Sequence, residues 1–259
     1  MRCPNRQTSQ APKGLNGYLY WNEEAGIFTT GPEGSRGYKE ACWETAGEEA
    51  AIWPRFGIAD SNQRRRALDN LPNVAMNEFG VDVFPYRKDG PCHFRGAAWV
   101  AWTAGIAEAA GREGRLHLLQ QLIAQQVRQA VLHKTFFEVI DYKSGRSWRW
   151  PGQLWDATAF LSYFYFGVLG MQYDEEGLRL SPAVPRVLSD MEVDDFRYRN
   201  ALLQIRVKGW GTQGDMVLDG KPVKNVPPIS KASTRWRFGW GPRRAPPSEN
   251  SLFPREWRS

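Results

Sequence analysis

The stretch TFFEVIDYKSGRSWRWPGQLWDATAF, from Thr135 to Phe160, sets one carboxylate, Glu138, directly after Phe136 and Phe137. It then supplies Trp148, Trp150, Gln153 and Trp155. A carboxylate held against aromatic rings is partly desolvated, which raises its pKa and its basicity. Such a group can take a proton from water as a general base. Tryptophan joins a flat apolar face to an N–H donor, a combination suited to stacking on sugars, bases or partner proteins. Trp150 and Trp155 are the candidate stacking faces, with Gln153 as a further contact. A solvated acid at a helix C-terminus has the same signature, so spacing alone leaves Glu138 two readings. Of the nearby acids, Asp141 falls in the turn and Asp156 caps or begins the last helix, so both serve as controls.

Three more candidates lie upstream. Arg95 can orient a hydroxyl or keep a carboxylate ionised, and it can equally be a structural ion-pair partner. Glu40 and Trp43 can reach a pocket from a helix whose acids Glu40, Glu44, Glu48 and Glu49 otherwise read as its solvated face. Trp99 and Trp102, three apart on an apolar run, read first as core. His93, His117 and His133 do not have metal-ligand spacing, and GWGTQG (209–214) sits in strand grammar rather than in a phosphate loop. No metal and no cofactor is expected.

These residues need elements to hold them. Residues 1–14 are polar and read as disordered. The Gly-rich segment 17–38 reads as loop or hairpin, 39–53 as helix, and 60–71 as a helix capped by Asp60 and Ser61 and closed by Pro72. Residues 76–96 read as a long loop. Ala97–Ala110 reads as a buried helix. The next helix, 115–134, places Leu116, Leu119, Ile123, Val127 and Val131 on one face, with Gln121, Gln125 and Arg128 opposite. A last helix covers 153–169. Residues 173–225 alternate in short runs between Gly and Asp-Gly turns, the pattern of a small antiparallel β module. Residues 226–259 are basic, rich in Pro, Arg and Trp, and read as a disordered tail. The expectation is a mainly α chain of helical hairpins followed by a β appendix.

Composition narrows the function classes. The 259 residues include twelve tryptophans and three cysteines, Cys3, Cys42 and Cys92, without CxxC spacing. A disulfide framework is not expected, and a reducing, cytoplasmic setting is. The net charge is +6, but Arg2, Arg6 and Lys13 at one end and seven Lys and Arg beyond residue 226 supply it. The span 15–225 is slightly acidic, which argues against nucleic acid except through the tails. The longest apolar run, ATAFLSYFYFGVLGM, is shorter than the ~20 residues that span a bilayer, so no membrane partner is expected.

Four segments together resemble a known family. HFRGAAWVAW (93–102) is similar to the Y-W-R-G-P-[IV]-W motif of trehalases, processing α-glucosidases and mannosylglycerate hydrolases. Arg95, Gly96 and Trp99 match, while His93, Phe94 and Ala97 depart from it. YWNEEAGIF (20–28) resembles the family's W-[DN]-E-E-x-G segment, EFGVDVFPY (78–86) its G-[LIV]-x-[ST] loop, and the Glu138 stretch its acid-bearing W-[ST]-A region. The β module is more like rhamnosidases, debranching enzymes and sugar phosphorylases of the same architecture. The resemblance implies a partial (α/α)6 toroid over 15–172, its C-terminal half, followed by a β module over 173–225. It implies inverting glycoside hydrolysis of α-linked oligosaccharides with Glu138 as base. Arg95, Trp99, Trp150, Gln153, Trp155, Trp43 and Glu40 would contact substrate. The family's general acid lies in a region with no counterpart here, so a missing half or self-association is the implied partner. The alternatives are a non-catalytic carbohydrate-binding remnant and a tail-mediated binder of nucleic acid or acidic partners.

Overall fold

The computed structural model describes residues 19–39, 45–83, 96–175, 177–199, 201–218, 221–222 and 235–242. The chain divides into two units, Met1–Gln172 and Tyr173–Ser259.

In the first unit, β1 (Tyr20–Asn22) and β2 (Ile27–Thr29) form an antiparallel hairpin, followed by α1 (Arg36–Lys39), α2 (Thr45–Ile52) and α3 (Ser61–Val74). Asp60 caps α3: its carboxylate accepts from Gln63 N at 2.8 Å, and the Gln63 side chain accepts from Asp60 N at 3.1 Å. Such a reciprocal cap is worth about 1 kcal/mol. Pro72 lies inside α3 instead of closing it.

The segment after Gly96 begins as strand β3 (Ala97–Ala98), passes through a 3₁₀ turn at Ala101–Thr103, and becomes helix α4 only at Ala104–Arg112. The buried helix expected from Ala97 is therefore shorter. Helix α5 (Leu116–His133) leads into strands β4 (Phe137–Asp141) and β5 (Ser147–Pro151), and then α6 (Leu154–Ser162) runs into a π-helical segment, Tyr163–Val168. Strand order in the small sheet is β3-β4-β5, with β4 antiparallel to both neighbours.

Helix α4 is the centre of this unit, with Ile106, Ala107, Ala109 and Ala110 fully enclosed. It packs against the π-helical segment so closely that a Cβ on Gly111 would lie 2.1 Å from Gly167 O. Only glycine permits that approach.

Helix α5 turns a different face inward from the one its apolar residues suggest. Leu118, Leu119, Leu122 and Ile123 are buried together with Gln125, Gln126 and Gln129, whereas Val127, Val131 and Leu132 are exposed. The Gln125 amide donates to Asn77 O, which gives the buried polar side chain a partner.

The second unit has a two-stranded pair, β6 (Gln172–Asp174) with β7 (Gly177–Arg179), and a five-stranded sheet. That sheet contains β8 (Glu192–Tyr198), β9 (Ala201–Val207), β10 (Gly214–Leu218), β11 (Lys221–Pro222) and β12 (Arg235–Pro242), ordered β11-β10-β12-β9-β8. Leu203, Ile205 and Val207, two apart, line its buried side. The sheet is not purely antiparallel, because β12 pairs parallel with β9. It also takes in Arg235–Pro242, within the span read from composition as a tail.

The expected fold class does not hold. Helix makes up 40% and strand 26%, so the chain is neither mainly α nor a toroid of helical hairpins. A toroid needs consecutive antiparallel helix pairs, and here two of the connections that would join them are sheet. Phe137, Val139, Ile140 and Trp148 are β-branched or aromatic and favour a pleated, half-buried surface. Gly145, at φ 68°, closes the turn between β4 and β5. Among the described residues no helix is long and apolar enough to cross a membrane.

Candidate functional site

Glu138 lies in the middle of β4, on a strand and not at a helix end. Its two strand neighbours fix its setting. Phe137 pairs with Pro151 and Val139 pairs with Trp148, so Glu138 stands opposite two residues, Arg149 and Trp150. The ladder bulges there, and Arg149 takes φ 69° to allow it. A non-glycine residue in that region costs about 1 kcal/mol or more, a strain that recurs where a strand re-aims a side chain. The bulge is clamped at its far end, where Gly152 N donates to Phe136 O at 2.8 Å and Gln153 N to the same oxygen at 3.2 Å.

The Glu138 side chain is half-buried, and its Oε2 is enclosed without a hydrogen-bond partner among the described residues. The next residue, Val139, belongs to a core cluster with Val83, Ala97 and Trp99. Trp99 is buried and stacks on Trp102 at 4.5 Å, and Trp155 tilts against Trp99 at 6.0 Å. Trp99 therefore supports the site from beneath and has no open face. Trp150 and Trp155 reach solvent, with Trp150 67% exposed. Gln153 is half-buried and lines a shallow depression with Phe136 and Leu154, between the end of α5 and the start of α6; Glu138 does not line it. Trp148 stands on β5 beside the bulge. Arg95, Glu40 and Trp43 lie outside the described residues.

A second carboxylate joins Glu138. Asp156, in the first turn of α6, is fully enclosed. Its Oδ1 accepts from Ala101 N at 2.9 Å, and its Oδ2 has no partner at hydrogen-bond geometry among the described residues. Burial pushes its pKa up to about 7. The Ala101 N–H and the Trp155 indole pull it back, and the Glu138 charge pushes it further up.

Behind Asp156 the polar core continues. Tyr163 is fully buried and shares a hydrogen bond with the Thr103 hydroxyl, which in turn donates to Val100 O at 2.8 Å. Burial raises the Tyr163 pKa, Thr103 lowers it, and the charges of Glu49 and Asp156 raise it again. Glu49 accepts from Gly105 N at 2.7 Å, and burial pushes its pKa up to about 7 against that bond. A line of titratable groups thus runs from α2 through the π-helical segment to β4. Single-turn π-helical segments inside helices are frequent at functional sites.

Sequence reasoning did not find this line. Glu48 and Glu49, read as solvated, are buried because backbone donors are waiting for them: Phe28 N meets Glu48 at 3.0 Å, and Gly105 N meets Glu49. Asp156 looked like a cap. The signal was its place between Trp155 and Ala157 in an otherwise apolar helix. Asp141 does sit in the turn, accepting from Ser144 N at 2.7 Å and from its hydroxyl at 2.6 Å. Burial raises its pKa, but the Ser144 and Lys143 donors outweigh that and lower it overall. Among the described residues no group of His, Cys, Asp and Glu is placed to hold a metal ion.

The arrangement offers a carboxylate aimed by a bulge, a buried carboxyl behind it, and two exposed indoles beside it. No family model matches the chain, and no curated protein matches it either.

Proposed function

We propose that the first unit carries a site for α-linked oligosaccharides, in which Glu138 is the water-activating base of inverting O-glycoside hydrolysis. The observation that carries this reading is the bulge in β4 and β5. It sets Glu138 opposite exposed Trp150, with exposed Trp155 stacked over Trp99 behind it. Sugars offer apolar C–H faces and hydroxyl edges, which indole rings and a carboxylate complement. In the reaction, Glu138 takes a proton from water as the water oxygen bonds to the anomeric carbon. The bond to the leaving oxygen breaks on the opposite face. That oxygen needs a proton from a second acid. Asp156 does not serve, because it is fully enclosed behind Glu138.

A reading as a sugar-binding site without turnover draws on the same fact. The described residues gather no second solvent-facing carboxylate at Glu138. The two readings share binding and differ in chemistry. Titrating the full chain with α-linked glucosyl and mannosyl oligosaccharides, followed by tryptophan fluorescence, tests what they share. Saturable quenching or enhancement is expected, weakened by Trp150→Ala and kept in Glu138→Gln. A flat titration with every sugar removes both readings.

A further inference from the structure

Two buried oxygens lack partners on neighbouring carboxylates: Glu138 Oε2 on β4 and Asp156 Oδ2 on α6. Unpaired buried acceptors are costly, about 1–3 kcal/mol each, and two such oxygens side by side are worse because both would carry charge. One proton satisfies both at once. We propose that Asp156 Oδ2–H donates to Glu138 Oε2, making Asp156 the positioning residue that fixes the Glu138 carboxylate with its other oxygen toward the site. The inference rests on Glu138 being the working base of the proposed reaction.

The proton belongs on Asp156 for a structural reason. Asp156 is fully enclosed, whereas Glu138 is half-buried and can keep its charge near water. Ala101 N holds Oδ1 at 2.9 Å and so orients the carboxyl, leaving Oδ2 as the oxygen to carry hydrogen. The groups packed around Asp156 agree. The π-helical segment presents Tyr163, whose hydroxyl is engaged with Thr103. Beyond it, α2 presents Glu49, engaged with Gly105 N. Helix α4 presents Glu108, which is neutralised by Arg55 at 2.8 Å and Arg112 at 3.1 Å. The 3₁₀ turn contributes Thr103 and no charged side chain. None of these supplies Asp156 with a cation, and two of them add negative charge when ionised. The upward shift of Asp156 to about 7 has those causes, with burial first and the Glu138 charge among them.

The consequence is a ceiling on pH. Below about 7 the pair holds one proton and one charge, and Glu138 is held in place. Above it Asp156 loses its proton, two like charges face each other, and Glu138 is pushed from its position. Asparagine is the isostere of a protonated aspartate. Asp156→Asn keeps the acceptor for Ala101 N and supplies an amide N–H to Glu138, so it should fix Glu138 at all pH values.

The test is carboxyl ¹³C NMR of the full chain, labelled at Asp and Glu side chains, titrated from pH 5 to 9. Glu49→Gln serves to identify the other neutral-range carboxyl. In the native protein Asp156 should titrate near neutrality, and the Glu138 signal should report the same step. Glu138→Gln should move the Asp156 midpoint down, because a negative charge is gone. Asp156→Asn should abolish the step at Glu138. If Asp156 keeps its midpoint in Glu138→Gln, or Glu138 keeps its step in Asp156→Asn, no proton is shared and the proposal fails. These signals need no sugar, so failure of the hydrolysis reading leaves their outcome unchanged. A step at Glu138 with no sugar binding would uphold the pair and reject the site.

Discussion

The two units handle acidic side chains in opposite ways. In the second unit they stand at the surface against cations: Glu192 with Arg206 at 2.6 Å, Asp190 with Lys208 at 2.8 Å, Asp174 with Arg179 at 2.5 Å. Solvent competes for such pairs, and each is worth about 0–1 kcal/mol. In the first unit Glu48, Glu49, Glu108 and Asp156 are buried, and three of the four bond backbone or indole N–H groups with no cation at hand. Burying a carboxyl without a cation opposes folding unless it stays protonated or fully hydrogen-bonded. A sheet that needs only an apolar face has no use for such groups. Their concentration behind Glu138 is the physical mark that separates a working region from a scaffold.

The sharpest way to break this contrast is to remove one buried acid and one surface acid. Glu108 accepts from Trp53 Nε1 at 2.8 Å and from Arg55 at 2.8 Å. Glu108→Ala leaves those donors unpaired, and because Arg55 and Arg112 reach solvent the expected cost is about 2–3 kcal/mol, short of a fully buried pair. Glu192→Ala in the second unit should cost under about 1 kcal/mol. Urea unfolding of both variants checks the ratio, and equal losses would erase the distinction between the units.

Next in size is the pH dependence of stability. Glu49 and Asp156, both raised to about 7, keep protons in the folded chain that the unfolded chain has released. Their contribution is fully present below the ordinary carboxylate range of about 4. It falls as pH rises and is gone above about 7. Melting temperature should therefore decline between pH 5 and 7 and then level off. Glu49→Gln and Asp156→Asn should each flatten the decline. A curve that rises through this window would contradict the assigned shifts.

Smaller still is the expected effect of Trp150→Ala. The ring is 67% exposed, so stability should hardly change. Oligosaccharide affinity should fall several-fold, in keeping with the ~1 kcal/mol that aromatic contacts add beyond area. A loss of stability without a loss of affinity would return Trp150 to the scaffold.

Much of the site was legible, and much of its support was not. The run from Phe136 to Trp155 announces itself, since a lone acid among aromatic residues has few structural uses. Its secondary structure did not, because four or five apolar residues suit strand and buried helix equally. Only pairing with Ala97–Ala98, far along the chain, makes Val139 and Ile140 a central strand. Helix α5 misled for a related reason. Its valines mark one face, but Asn77 O offers the Gln125 amide a partner, and that helps turn the glutamine face inward. Local pattern cannot report a distant carbonyl. Asp156 was hidden likewise: a cap and a buried acid look alike until Ala101 N is found against it. The resemblance to toroid enzymes drew attention to Glu138 while giving it the wrong frame.

The most direct test of Glu138 as a base uses an α-glycosyl fluoride, whose fluoride departs without protonation and so needs no general acid. The full chain should hydrolyse the glucosyl or mannosyl compound to the β-anomer, seen by ¹H NMR before mutarotation. Glu138→Gln should lower the rate about 10²–10⁴-fold while keeping oligosaccharide binding. Hydrolysis that is equally fast in Glu138→Gln, or that releases the α-anomer first, would contradict the assignment of Glu138 as the inverting base.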